Sequence, residues 1–284
     1  MASFNSRSVY TIAKKEFLDN MRNRWIILLT IILFLLVIVF SYLAGGQTGG
    51  TDIFGNMQNT VFGLLGISSI IIPLIAIILG FSTISGEAES GALYIVLSYP
   101  VTRFEVLLGK LLGLGSVIVV AVLAGFGFGG ILITATVGGE SWIGYLGFMG
   151  LAIGLGFIFL SLSICISAYC KRRVTSIGGG LVIFFWGMII GSVFLGVLYG
   201  SGYDLADLQT GKIPDWYWYE PLFSPPDLNQ FTVMKAFGMQ NIDMMGFKLS
   251  LPGFMSTGLL LFAHFIWFIV PLFVGYFFFK RRDI

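Results

Sequence analysis

The fold is decided by the stretch "GEAESGALYIVLSYPVTRFEVLLGK", residues Gly86 to Lys110, which is a charged connector between two apolar runs of membrane length. Pro100 ends a first helical segment, because the residue before a proline is driven out of the helical region. The letters "TRFE" then form a capping box, with Thr102 as N-cap and Glu105 three residues later. We therefore predict two helical segments joined at a proline corner. We expect Glu87 and Glu89 to be exposed acids, and Lys110 to snorkel from the start of the third span. A plain tether would not need this much structure, so the pattern favours a docked partner.

The composition places this connector in a membrane protein. Of 284 residues, 57% are hydrophobic and only 11% are charged, whereas a soluble domain carries about 25% charged residues. A membrane-spanning helix needs about 20 apolar residues, and alternating strand patterning is absent. We predict an all-α integral membrane protein, one domain over residues 1–284, with six transmembrane helices at 26–44, 61–84, 110–137, 145–168, 176–199 and 256–279.

The basic residues predict the orientation of the chain. With the N-terminus in the cytoplasm, thirteen of the sixteen Lys and Arg residues lie inside. Only Lys212, Lys235 and Lys248 then lie outside, as the positive-inside rule favours. We expect a multi-pass protein of the cell membrane with both termini cytoplasmic. The partner of these basic residues is expected to be the lipid bilayer and not a nucleic acid.

Two further segments flank the predicted spans. The stretch "SVYTIAKKEFLDNMRNRW", residues 8–25, predicts an amphipathic helix in the inner headgroup layer. Its interfacial residues are Lys14, Lys15, Arg22, Arg24 and Trp25. Residues 200–252 form a long external segment, which we expect to fold into short helices on the outer mouth of the bundle. One of them should begin after the N-cap Ser224, with Pro225 at its first position and Gly238 as its stop.

The sequence carries no phosphate-binding loop. Gly109–Lys110 would need a glycine where Phe104 stands and a Ser or Thr where Leu111 stands, and Gly211–Lys212 fails the same spacing. If the chain uses ATP, another chain must therefore hydrolyse it. We expect no catalytic residue, no bound cofactor and no metal site in this chain.

Alternative functions follow from a few residues. An ATP-independent channel or secondary transporter would place charges inside spans, but only His264 lies deep in one. An intramembrane hydrolase would pair His264 with a serine of "GISS", Gly66–Ser69. The external methionines Met234, Met239, Met244, Met245 and Met255 could bind Cu(I), although packing against the membrane surface is favoured. A membrane assembly factor that binds partners without transport is a further alternative.

Three stretches carry a resemblance to a known family: "IAKKEFLDNMRNRW" before the first span, "GEAESGALYIVLSYPVTRFEVLLGK" between the second and third spans, and "FKRRD" at the end. With them, the chain resembles the permease subunit of a type-2 ABC exporter, and in particular the Nos-type permeases of the nitrous-oxide-reductase maturation exporter. The resemblance implies that residues 8–25 form an "elbow" helix. It also implies that residues 86–105 form a coupling segment, which rests in a groove of a separate ATPase subunit.

The same resemblance implies the partners of the chain. Two permease chains would form a homodimer with two ATPase subunits, which bind ATP and Mg²⁺, and the translocation path would lie at the permease dimer interface. An external protein that accepts the substrate would be a further partner. The residues that would contact the ATPase are Glu87, Glu89, Gly91, Tyr94, Pro100, Thr102, Arg103 and Glu105.

Overall fold

The computed structural model describes residues 4–46, 57–137, 142–210, 212–237, 241–244, 247–250 and 252–282. Long helices form where the apolar runs lie, because a helix satisfies its own backbone groups in lipid. The helices are α1 (Ser6–Met21), α2 (Arg24–Gly46), α3 (Met57–Gly80), α4 (Ser85–Glu89), α5 (Ala92–Leu97), α6 (Arg103–Val122), α7 (Phe128–Val137), α8 (Trp142–Tyr169), α9 (Arg173–Gly200), α10 (Leu205–Thr210), α11 (Glu220–Phe223), α12 (Pro225–Ala236) and α13 (Thr257–Arg281).

The predicted helical membrane architecture is confirmed. Within the described residues, five helices are long and apolar enough to cross a membrane, and the count rises to six if the bent pair α1–α2 is one span. The predicted spans fall in α2, α3, α6–α7, α8, α9 and α13. The chain reverses direction at each connection, so α1, residues 81–102, the α8–α9 turn and the end of α13 share one end of the bundle. We call this the basic end.

The interfacial helix ends earlier than the sequence suggests. The predicted helix over residues 8–25 is divided into α1 and the start of α2, which meet at a bend of 69°. Asn23 causes the division, because its side chain accepts a hydrogen bond of 3.0 Å from the Trp25 N–H and so caps α2. Trp25 therefore belongs to the first turn of α2.

Helix α1 packs closely against α6 through two glycines of α6. A Cβ atom on Gly109 would lie 2.8 Å from the Ile12 side chain, and one on Gly113 would lie 2.5 Å from the Ala13 carbonyl oxygen. Both distances are too short for a real Cβ, so only glycine permits this approach. The buried side of α1 carries Val9 and Glu16.

The third span contains a π-helical turn, Leu123–Gly127, between α6 and α7. Such wide turns replace the usual backbone hydrogen bonds locally. The Tyr145 hydroxyl of α8 donates a hydrogen bond of 2.6 Å to the Phe126 carbonyl. The buried tyrosine thereby supplies a partner for a carbonyl in the turn and ties α8 to the third span.

Part of the external segment enters the bundle, so the expectation that its short helices lie on the outer mouth is wrong for α11 and α12. Ser224 donates to the carbonyl of Gly187, at the middle of α9, over 3.2 Å. Gln230 donates to the hydroxyl of Ser69, at the middle of α3, over 3.2 Å. Helix α12 begins as predicted, with Ser224 as its N-cap and Pro225 at its first position. Its proline start is therefore buried deep in the bundle, and α11 and α12 form a re-entrant hairpin.

A short β-hairpin is the one departure from an all-α chain within the described residues. Strands β1 (Asn241–Met244) and β2 (Phe247–Ser250) pair antiparallel, with Asn241 opposite Ser250. A 3₁₀ turn, Asp215–Tyr219, precedes α11. Gly238 and the side chains of Met239, Met244 and Met245 lie outside the described residues. Met234 and Met255 are buried in the protein interior, so the expectation that the external methionines pack against the membrane surface is wrong for these two.

Candidate functional site

Residues 81–102 leave α3 through a turn that two serines of other helices hold in place. The Ser167 hydroxyl of α8 accepts hydrogen bonds of 3.0 Å from the backbone N–H groups of both Ile84 and Ser85. The Ser176 hydroxyl of α9 donates to the Phe81 carbonyl. The backbone groups freed by the break are thus paired inside the bundle, as buried backbone groups must be. The connector is therefore fixed to α8 and α9.

The proline corner forms as predicted, but the expectation of one helical segment before it is wrong, because that segment is divided into α4 and α5. Gly91 has a φ of 78°, the left-handed conformation that glycine adopts without steric cost, and it separates α4 from α5. The Glu105 N–H donates to the Thr102 hydroxyl over 3.2 Å, and the Thr102 N–H donates to Glu105 Oε2 over 2.6 Å. The predicted capping box is therefore confirmed. The other oxygen of Glu105 accepts from the Asn5 N–H, which ties the start of α1 to the start of α6.

A buried ion cluster joins α1, α4 and α6. The Lys110 ammonium lies 2.7 Å from Glu16 Oε1 and 2.7 Å from Glu87 Oε1. The Lys110 side chain is only 2% exposed, and those of Glu16 and Glu87 are 9% and 20% exposed. Lys15 approaches Glu87 more loosely, at 3.9 Å, with 59% of its side chain exposed. We call Glu16, Glu87 and Lys110 the buried triad.

The buried triad corrects two expectations. Glu87 is not an exposed acid, because Lys110 draws it against the bundle. Lys110 does not snorkel to the membrane surface, because two carboxylates satisfy its charge in the interior. Sequence reasoning missed Glu16. A signal was present, however: Glu16 shares one face of α1 with Val9, Ile12 and Ala13, and Lys110 is a lone charge near the start of an apolar run.

Two other charged residues of the connector satisfy the ends of long helices. Glu89 is exposed, but one of its carboxylate oxygens accepts from the Arg173 N–H at the start of α9, over 2.7 Å. Arg103 donates to carbonyls at the end of α13, including those of Lys280, over 2.9 Å, and Arg282, over 2.8 Å. Acids at helix starts and cations at helix ends are stabilising there. The connector is therefore bonded to α9 and α13 as well.

What the connector leaves exposed is an aromatic and apolar surface. Tyr94, Ile95 and Tyr99 are 56%, 66% and 65% exposed. Ser98 and Pro100 are exposed beside them. We call these five residues the connector tip. A cavity of about 490 Å³ lies next to it, and basic side chains of Lys171 and Arg281 are among its lining.

The predicted interfacial residues lie on the outside of the molecule. The side chains of these residues are all exposed: Lys14, Lys15, Arg22, Arg24 and Trp25. The opposite side of α1 packs on α6, so this exposed side is free for headgroups. The interfacial role of these five residues stays a prediction.

The geometry does not support the intramembrane hydrolase. The hydroxyls of Ser68 and Ser69 both donate to the Leu65 carbonyl over 2.9 Å. His264 uses Nδ1 on the Leu260 carbonyl, at 2.9 Å, and its Nε2 has no hydrogen-bond partner in the described part of the chain. A serine nucleophile needs a base within hydrogen-bond reach, and neither serine has His264 as a partner.

Comparison with known proteins decides the family. A family model described as "ABC-2 family transporter protein" matches residues 10–284. The chain belongs to the ABC-2 transporter family. It is 35% identical to the probable ABC transporter permease protein NosY of Pseudomonas aeruginosa over 64% of this chain and 67% of that protein. It is 29% identical to the probable ABC transporter permease protein NosY of Stutzerimonas stutzeri over 96% of this chain and 98% of that protein.

Membership confirms the resemblance read from the sequence. As an ABC-2 transporter protein of NosY type, the chain is the membrane subunit of an ABC transporter. The connector, the buried triad and the connector tip are then parts of a membrane subunit.

Proposed function

We propose that this ABC-2 membrane subunit pairs with a separate ATPase subunit at its basic end and works as an ATP-driven exporter. In this proposal the basic end is cytoplasmic and both termini lie there, since thirteen of sixteen Lys and Arg residues lie on that side. ATP and Mg²⁺ bind to the partner. The observation that carries the proposal is the division of the connector into two parts. One is the exposed connector tip, and the other is a base whose charged residues, Glu87, Arg103 and Glu105, bond to neighbouring parts of the chain.

The connector tip is the proposed contact with the ATPase. Large apolar and aromatic side chains at a solvent-facing surface mark interaction sites, and tyrosines are enriched at protein interfaces. Tyr94 and Tyr99 provide such a surface, and neither takes part in the internal packing of the bundle. The charged residues Glu87, Arg103 and Glu105 instead face inward and hold the base. We therefore assign docking to the tip and transmission to the base.

Transmission follows from the bonds of the base. A push on the tip acts on an element that is bonded to α1 and α6 through the buried triad. It also acts on α8 and α9 through Ser167 and Glu89. Because packed helices move as rigid bodies, the connector can pass a displacement to four helices at once. ATP-dependent closure of the ATPase would then rotate the spans.

Helix α9 is the proposed contact with a second copy. Only 17% of its apolar centre is buried within one chain, against 56% for α8. Gly196 and Gly200 open onto empty space, which lets another helix approach closely. Helix α13 is also poorly covered, at 22%, but it presents exposed phenylalanines such as Phe265 and Phe273, which suit lipid. The translocation path would lie along α9. The opposite end, with α10 and the β-hairpin, would face an external substrate-accepting protein.

The docking assignment is tested by copurification. The variant Tyr94→Ala/Tyr99→Ala removes two tip aromatics and should lower the amount of ATPase that copurifies by about tenfold, the effect of roughly 1.4 kcal/mol. Tyr10→Ala is the matched control, because Tyr10 is 68% exposed on α1, away from the tip. Equal copurification of the ATPase with both variants would contradict the assignment. Absence of any ATPase from the wild-type preparation would contradict the proposed function itself.

A further inference from the structure

A cavity of about 350 Å³ lies between α9 and the re-entrant hairpin. Its walls include Gly191 and Ser192 of α9, Tyr217 and Trp218 of the 3₁₀ turn, and two carboxyl groups, Glu220 and Asp227. No part of the proposed coupling mechanism uses it. Its acidic residues come from α11 and α12, at the depth where Ser224 reaches the middle of α9.

Glu220 directs an unpaired oxygen atom into this cavity. The residue is only 6% exposed, and its Oε1 has no hydrogen-bond partner among the described residues. A Cβ atom on Gly191 would lie 3.5 Å from Glu220 Oε1 and 3.7 Å from Asp227 Oδ2. The two carboxyl groups therefore converge on the same spot beside Gly191, where the missing side chain leaves room.

Among the described residues, the carboxyl pair has no cation of its own. In the described part of the chain, every ion pair lies at the basic end, and neither Glu220 nor Asp227 forms one. Lys235, on the same helix as Asp227, donates to the Met255 carbonyl instead. Burial, and after it the neighbouring Asp227, raise the pKa of Glu220 to about 9. Near neutral pH Glu220 therefore holds its proton.

The remaining walls are mostly aromatic and apolar. Trp218 is 5% exposed, and its ring packs edge-on against those of Tyr217 and Phe231, with centroids 6.3 Å and 6.2 Å away. Aromatic faces attract organic cations, and a carboxylate beside them balances the positive charge of the cation. Hard metal ions instead take about six oxygen ligands, and the described residues contain no group of three or more His, Cys, Asp or Glu side chains that could hold a metal.

We propose that this cavity is a binding site for a small organic cation, whose ammonium or guanidinium group lies between Glu220 and Asp227. A volume of about 350 Å³ is at the lower end of small-molecule pockets, which begin at about 300 Å³. The cation takes the place of the proton on the carboxyl pair, and its organic part contacts the aromatic walls. That the cation is the exported cargo rests on the proposed function, but the binding site does not.

The experiment measures binding of benzylammonium to the purified full-length chain in nanodiscs by calorimetry. The wild-type chain should bind it, and Glu220→Gln and Asp227→Asn should each weaken binding by at least about tenfold. Gly191→Ala should weaken it as well, because the new methyl group fills the space between the carboxyls without changing the charge. Asp215→Asn is the matched control, since it removes an exposed carboxylate of the same segment, and it should bind like the wild type.

Each remaining outcome decides for or against the site. Toluene, which lacks the charge, should show no binding that depends on Glu220. Absence of benzylammonium binding would overturn the proposal, and so would equal binding by the Glu220→Gln, Gly191→Ala and wild-type chains. Binding of Ca²⁺ or Mg²⁺ with the same dependence on Glu220, in place of benzylammonium, would replace it with a metal site. Benzylammonium binding by a chain that copurifies no ATPase would uphold the site and contradict the proposed function.

Discussion

Replacement of Lys110 by methionine is the sharpest test of the buried triad. The change keeps an unbranched side chain of nearly the same length but removes the ammonium group, which lies 2.7 Å from both Glu16 and Glu87. Two carboxylates would then face each other in a site where Lys110 was only 2% exposed. Breaking a buried ion pair by removing one partner costs about 3–5 kcal/mol, because the other charge stays buried and uncompensated.

The partly exposed Lys15 supplies the comparison. Its ammonium lies 3.9 Å from the same Glu87 oxygen, but its side chain is 59% exposed, and exposed pairs contribute less than about 1 kcal/mol. Lys110→Met should therefore lower the free energy of unfolding by at least about 2 kcal/mol more than Lys15→Met. The measurement is equilibrium unfolding of the purified chain in detergent. A Lys110→Met chain as stable as Lys15→Met would refute the reasoning.

A triple variant separates the loss of charge balance from the loss of packing. Combining Lys110→Met with Glu16→Gln and Glu87→Gln removes all three charges, and such replacement of a buried ion cluster is often neutral. The triple variant should recover most of the lost stability. In the complex, Lys110→Met should keep its ATPase, because the connector tip is intact, but should couple ATP hydrolysis to transport less well. A triple variant as unstable as the single one would show that packing, not charge, dominates.

Three further predictions concern other parts of the bundle. Gly113→Leu should destabilise the chain by about 1–3 kcal/mol, the cost of overpacking, because its Cβ would clash with α1, whereas Gly66→Leu faces open space and should be neutral in the same unfolding assay. Because the pKa of Glu220 is raised from 4.5 to about 9, its contribution to the free energy of unfolding is fully present below pH 4.5 and is lost as pH rises to about 9. The melting temperature should therefore change less with pH in Glu220→Gln than in the wild type. Gly196→Cys, on the proposed dimer helix α9, should form disulfide-linked dimers that are seen on gels. Phe265→Cys, on the lipid-facing helix α13, should not.

Several elements were predictable because their signals are local. The capping box at Thr102 and the N-cap at Ser224 each rest on residues three positions apart, and both form as predicted. The spans were predictable from their length and composition. These features require no knowledge of which helices touch, so the sequence alone carries them.

The partners of the charged residues were not predictable in the same way. Glu16 and Lys110 are separated by 94 positions along the chain, and their pairing depends on how α1 lies on α6. That contact in turn depends on Gly109 and Gly113, which permit the close approach. A sequence shows that a buried charge must find a partner, but only the packing of the helices shows which one. The sequence alone therefore predicts a surface position for Glu87, whereas the structure pairs it with the buried Lys110.

The depth of the external segment has a similar cause, and it bears on function. Pro225 and Pro226 bring no backbone N–H groups, so the start of α12 can be buried with fewer donors to satisfy. Ser224 supplies the remaining contact, to the Gly187 carbonyl. This construction carries Glu220 and Asp227 inward beside α9, the same helix to which Glu89 bonds at the basic end. Helix α9 therefore connects the base of the connector to the carboxyl pair, and a movement of one end would alter the geometry of the other.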